Sequence, residues 1–147
     1  MTDRGPVTSE LLRNELCERL GADVPVFGFT HSLDAAIAVT RAGGIGIWGA
    51  TRSTPEEIEI GVTRMAAELG DRPYGLDLVI PNGMPERDNR AEIEAAIPDE
   101  HRRFVEAVRE RHGVPDDGEP GMRSRFVRSE DVARAQVDVV MDSQISV

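Results

Sequence analysis

Two side chains stand where their chemistry could be used. His31 follows Val24-Pro25-Val26-Phe27-Gly28-Phe29, a compact apolar run bounded by breakers, so it lies just past the end of a candidate buried strand. A histidine there can exchange a proton near neutral pH or donate to an anionic substrate. The plain alternative is a capping or surface side chain. Asp77 falls inside Tyr74-Gly75-Leu76-Asp77-Leu78-Val79-Ile80, a third strand candidate. A carboxylate within a buried strand is costly unless it is paired or solvated at the strand mouth, which marks Asp77 as a candidate site residue. Gly44-Ile45-Gly46-Ile47-Trp48-Gly49 fits the G-x-G-x-x-G spacing of phosphate-cradling loops. That loop needs a strand before it and a helix opening within it, whereas here a helix precedes and the glycines fall inside a strand. His101 and His112 lie on a charged helix, and no set of His and carboxylate residues has metal-ligand spacing, so no metal is expected.

The elements that position these residues follow from periodicity and punctuation. Leu12, Leu16 and Leu20 at four-residue steps predict a short helix from Leu11 to Leu20, ended by Gly21. The first strand is expected over Val24–Phe29. Between Ser32 and Arg41, Leu33, Ala36, Ile37 and Thr40 share one helical face, with Ser32 as cap. Ile45–Gly49 reads as a second buried strand, with Trp48 as core or edge packing. Thr54-Pro55-Glu56-Glu57 combines a capping Thr, a Pro at the first helical position and a Glu at the capping-box position. The helix that starts there runs to Gly70 on a face of Ile58, Val62, Met65, Ala66 and Leu69. Strand, helix, strand, helix, strand at this spacing implies a parallel sheet covered by helices.

Beyond Pro81 the regularity fades, and residues 82–121 read as an elaborated, helix-containing loop. Within it Asp99 is expected to cap a helix reaching His112-Gly113, and the breaker-rich run from Val114 to Gly121 is expected to be an exposed loop. Ser129 should cap a last helix bearing Val132, Ala135, Val139 and Val140, before Gln144-Ile145-Ser146-Val147 turns strand-like.

Bulk properties narrow the class of protein. The chain has 147 residues, 39% of them hydrophobic and 30% charged, which suits one α/β domain with a polar surface. A net charge of −10 repels phosphate backbones and anionic bilayers, so neither nucleic acid nor a membrane is an expected partner. Cys17 is the only cysteine, which excludes an internal disulfide. With no basic-then-apolar leader at the start, the expectation is a cytoplasmic protein with a small-molecule substrate.

The run from Leu16 to Pro81 resembles the opening of the nitronate monooxygenase family, formerly called 2-nitropropane dioxygenases. The resemblance is carried by Leu20-Gly21 leading to Val24-Pro25-Val26, Ala35-Ala36 through Ala42-Gly43-Gly44-Ile45-Gly46, Thr54-Pro55-Glu56-Glu57, and Arg72-Pro73-Tyr74-Gly75-Leu76-Asp77-Leu78. It implies the first three to four parallel β/α units of a (β/α)8 TIM barrel that binds FMN and oxidises alkyl nitronates with oxygen. It also implies ring-side contacts from Phe27, Gly28, Phe29, Gly49, Ala50 and Asp77. His31, by its own place past the first strand, is a candidate donor to a reduced flavin or an anionic substrate. Asp77 stands where the family usually has an amide, and Gly28-Phe29-Thr30 replaces the usual Ala-Pro-Met element. An ionised carboxylate accepts hydrogen bonds but cannot donate them, so these departures leave a divergent subgroup with another substrate open beside alkyl nitronate oxidation. Two other readings remain open: a relative of flavin-dependent enoyl-thioester reductases, and a non-catalytic truncated fragment or assembly module. A complete barrel typically needs about 250 residues, so residues 1–147 are expected to be an N-terminal portion that requires a complementing chain or self-association as a homo-oligomer.

Overall fold

The computed structural model describes residues 12–115, 129–143 and 145. The chain divides into two compact units, one formed by Met1–Ile80 with Arg134–Val147 and the other by Pro81–Ala133.

The first unit is an α/β layer built on three parallel strands, β1 (Phe27–Thr30), β2 (Ile45–Gly49) and β3 (Tyr74–Asp77). They lie in sequence order, so each strand pairs with the next one along the chain. Phe27 is in register with Ile45 and Phe29 with Ile47, while Gly49 is in register with Asp77. Side chains alternate between the two faces of a strand, and register partners share a face. Phe27, Phe29, Ile47, Gly49 and Asp77 therefore occupy one face, and Gly28, Gly46, Trp48, Ala50, Tyr74 and Leu76 the other.

Three helices precede or connect these strands: α1 (Glu15–Leu20), α2 (Leu33–Arg41) and α3 (Pro55–Leu69). The Ser32 hydroxyl caps α2 by accepting from Ala35 N at 3.3 Å, and Ala36, Ile37 and Thr40 are the residues it buries. Both halves of the expected box open α3: Thr54 Oγ1 accepts from Glu57 N at 3.2 Å, and Glu57 Oε2 accepts from Thr54 N at 3.0 Å. Helix α3 buries Ile58, Val62, Met65 and Leu69 against Trp48, Ala50 and Tyr74. The core thus lies on the helix side of the sheet, and Trp48 belongs to it, 7% exposed.

Gly46 sets how closely α2 approaches the sheet. A β-carbon there would overlap the main-chain carbonyl of Ala36, so only a residue without a side chain lets the helix seat at this depth. The contact is fastened at the opposite end of α2 by buried Thr40, whose Oγ1 accepts from Gly46 N at 2.9 Å and donates to Pro73 O at 3.4 Å.

Three expectations in the first unit are corrected. Helix α1 begins at Glu15, because Asn14 accepts from Cys17 N at 3.1 Å and caps it there. Its inward residue is Cys17, while Leu12 and Leu16 are exposed. The first strand starts at Phe27: Val24 N and Val26 O already bond to Gly43 O and Ile45 N, but Val26 N turns back onto Val24 O and Pro25 has no N–H, so the regular ladder begins only after them. The third strand ends at Asp77, three residues earlier than the apolar run suggested, and Val79 and Ile80 are exposed.

The second unit holds α4 (Arg90–Ala96) and α5 (Asp99–His112), neither of which buries a residue. Helix α5 spans the expected residues, but Pro98 occupies the capping position and Asp99 begins the helix. The last helix, α6 (Glu130–Met141), starts after Ser129, whose hydroxyl accepts from Val132 N at 3.4 Å. Six helices and three strands are present among the described residues. The 116–121 part of the expected loop, and the expected strand at Gln144, Ser146 and Val147, lie outside them. No helix among the described residues is long and apolar enough to cross a membrane.

Candidate functional site

In a parallel sheet all the strands point one way, so the segments that leave their carboxyl ends gather along a single rim. Here that rim carries His31 after β1, Gly49-Ala50-Thr51 at the end of β2, and Asp77 to Val79 at the end of β3.

His31 is anchored to the middle strand. Its Nδ1 lies 3.0 Å from Gly49 O. A carbonyl oxygen can only accept, so Nδ1 carries the proton and, in the neutral ring, Nε2 is the acceptor. Phe29 meets the imidazole edge to face, with ring centroids 5.2 Å apart and planes at 80°. Gly49 makes this cluster possible. A β-carbon on it would sit 2.6 Å from Phe29 Cζ and 2.8 Å from His31 Nδ1, so both rings occupy the space a side chain would take. Phe29 is nevertheless 57% exposed, which leaves an apolar ring turned to solvent beside a polar heterocycle.

The ends of β2 and β3 are tied to each other. Ala50 N donates to Asp77 O at 3.0 Å, Val79 N donates to Thr51 Oγ1 at 3.0 Å, and Ser53 N closes a turn onto Ala50 O at 2.8 Å. Thr51 is buried, as a residue holding two chain segments should be. Asp77 is half-buried, and its carboxylate makes no hydrogen bond or ion pair among the described residues. Its place at the strand's last position lets water solvate the charge, which resolves the cost of a carboxylate in a strand.

The residues expected to contact a ring-shaped cofactor separate into two groups. Phe27, Phe29, Gly49 and Asp77 share the face away from the core, with His31 beside them. Gly28 lies on the other face, where a β-carbon would meet Val39 at 2.8 Å, and Ala50 is fully buried among the core side chains. Those two set the packing behind the rim, and only their main chain could meet a ligand. Thr51, Ser53 and Gln136, which also shape the rim, were not singled out from the sequence. The usable signal was Val132-Gln136-Val140 at four-residue steps, a polar residue set within an apolar row.

His101 and His112 are exposed on α5 in the second unit, with His112 in the last turn of the helix, where the helix dipole favours a basic side chain. No group of three or more metal-ligating side chains occurs among the described residues. The glycines of the G-x-G-x-x-G run end a helix and lie within β2, so that run opens no helix.

No family model matches the chain, and no solved structure matches it. Among curated proteins it is 34% identical over 111 residues to a Mycobacterium tuberculosis protein named "Putative monooxygenase Rv1533". The alignment covers 71% of this chain and 29% of that protein, so the chain spans under a third of the length of the relative it matches.

Proposed function

We propose that this chain supplies the flavin-ring side of an FMN-dependent oxidoreductase resembling nitronate monooxygenases. The observation that carries the reading is the convergence of Phe29, His31, Gly49 and Asp77 on one rim of a parallel sheet, in a chain similar to a protein named as a monooxygenase. The name supports an oxidoreductase. FMN, an alkyl nitronate as substrate and the (β/α)8 barrel are the finer parts of the proposal.

The rim suits a planar, partly apolar heterocycle. Phe29 offers an exposed aromatic surface, and Gly49, having no side chain, lets the Phe29 and His31 rings pack over the end of the middle strand. Bound FMN would supply the redox chemistry, taking electrons from the substrate and passing them to oxygen. The chain's own part is to orient. Gly49 O holds the His31 ring in one tautomer, with Nε2 left to accept a hydrogen bond. Protonation at Nε2 would turn it into a donor for an anionic substrate. The Asp77 carboxylate can only accept, so it favours an N–H edge over a carbonyl edge of a ligand.

Oxygen uptake by purified protein, supplied with FMN and an alkyl nitronate, tests the reading. Uptake that depends on both is expected and should fall about 10²-fold or more in Phe29→Ala/His31→Ala. NADH-driven reduction of the flavin in place of nitronate oxidation would favour an enoyl-thioester reductase instead. Protein that never takes up flavin would count against both enzymes.

A further inference from the structure

The carboxyl end of β2 is held from a distant part of the sequence. Gln136, on α6, is 5% exposed. Its Nε2 donates to Ser53 O at 2.7 Å and to Thr51 O at 3.4 Å, across 83 and 85 residues of chain. Those carbonyls belong to the turn that follows Gly49 and Ala50. Thr51 is in turn the residue whose hydroxyl accepts from Val79 N beyond β3.

We propose that Gln136 is the positioning residue of the rim, a clamp through which α6 fixes the turn after β2 and, through Thr51, the exit of β3. Calling this rim a ligand site rests on the flavin reading above; the clamp itself does not. The residue type fits the task. A neutral amide has two N–H groups to offer two carbonyls. Asn is one methylene shorter, Lys or Arg would bring an unpaired charge into a buried place, and Leu would leave both carbonyls without their donor. Gln136 thus donates to two carbonyls of a turn that Ser53 N closes onto Ala50 O, and it ties that turn to α6.

The test compares Gln136→Leu with Thr40→Val in the full chain, following amide exchange by NMR and unfolding by urea. Both variants remove buried hydrogen bonds, one set at the rim and the other at the opposite end of the sheet. After correction for each variant's global stability, Gln136→Leu should speed exchange at Ala50, Ser53 and Val79 by about thirtyfold, the loss expected for two hydrogen bonds. Thr40→Val should leave those amides unchanged and speed Gly46 instead. If Gln136→Leu does not fold, Gln136→Asn should give the same pattern at smaller amplitude. Equal effects of the two variants on the three rim amides would overturn the clamp.

A second arm titrates FMN, whose dissociation constant should rise about tenfold in Gln136→Leu and hold steady in Thr40→Val. Should wild-type protein fail to bind FMN while the exchange pattern holds, the flavin reading falls and the clamp stands. Binding of FMN with an unchanged constant in Gln136→Leu would count against the clamp's role in ligand positioning.

Discussion

Replacing Gly46 by alanine should destabilise the first unit far more than one methyl group suggests. The added β-carbon would overlap the carbonyl oxygen of Ala36 and lie 2.7 Å from its carbon and 3.0 Å from its Cα. All three are main-chain atoms of α2, so no rotamer change relieves the clash and the helix must lift from the sheet. Overpacking of this kind costs about 1–3 kcal/mol, and more where backbone must move. Lifting α2 also strains the bonds that Thr40 makes to Gly46 N and Pro73 O, each worth about 1 kcal/mol net. The expected loss is therefore about 3–5 kcal/mol, a large share of the roughly 5–15 kcal/mol that holds a typical domain together. Urea unfolding followed by far-UV circular dichroism should show the midpoint falling by about 2 M for a slope of about 2 kcal/mol/M. A loss under about 0.5 kcal/mol would refute the seating of α2 described above.

Thr54→Ala removes one half of the box that opens α3 and leaves Glu57 N without its acceptor, so thermal unfolding should register a loss of about 1 kcal/mol. Burial pushes the Tyr74 phenol above its ordinary value, and the tyrosine is 2% exposed. Its stabilising contribution is complete below about pH 10, where the phenol is neutral in both folded and unfolded chains, and is lost as pH rises through the raised folded value. Wild-type protein should accordingly lose stability above about pH 10 relative to Tyr74→Phe, and parallel stability profiles for the two would contradict that assignment.

The parts of the fold legible in the sequence were those governed by local chemistry. Thr54-Pro55-Glu56-Glu57 is a signal whose donors and acceptors lie within four residues, and it formed as expected. Likewise Ala36, Ile37 and Thr40 were readable as a face because a helix repeats every 3.6 residues. Where the outcome depended on partners far along the chain, the pattern misled. Val79 and Ile80 look like strand residues, but Val79 gives its N–H to the Thr51 hydroxyl instead of continuing a ladder. Leu12 and Leu16 look like an inward face, yet the Asn14 cap begins the helix so that Cys17 is buried. Helix α4 offers neither a side-chain cap bond nor a buried residue, so no amphipathic period announces it. At the rim, His31 and Asp77 were visible because their types are unusual beside apolar strands. Gln136 sits in the apolar row of Val132 and Val140, which signals an inward residue, but only the fold shows which carbonyls it bonds.

Mapping where FMN touches the protein bears most directly on the central claim. With nitrogen-15-labelled chain, added FMN should shift the amide resonances of Phe29, Thr30, His31, Gly49, Ala50, Thr51 and Asp77 together, while Asp23, Gly43, Gly44 and Arg72 at the other end of the strands stay in place. Shifts confined to that other end, or none at FMN concentrations up to the millimolar range ordinary for weak ligands, would contradict the assignment of a flavin-facing rim.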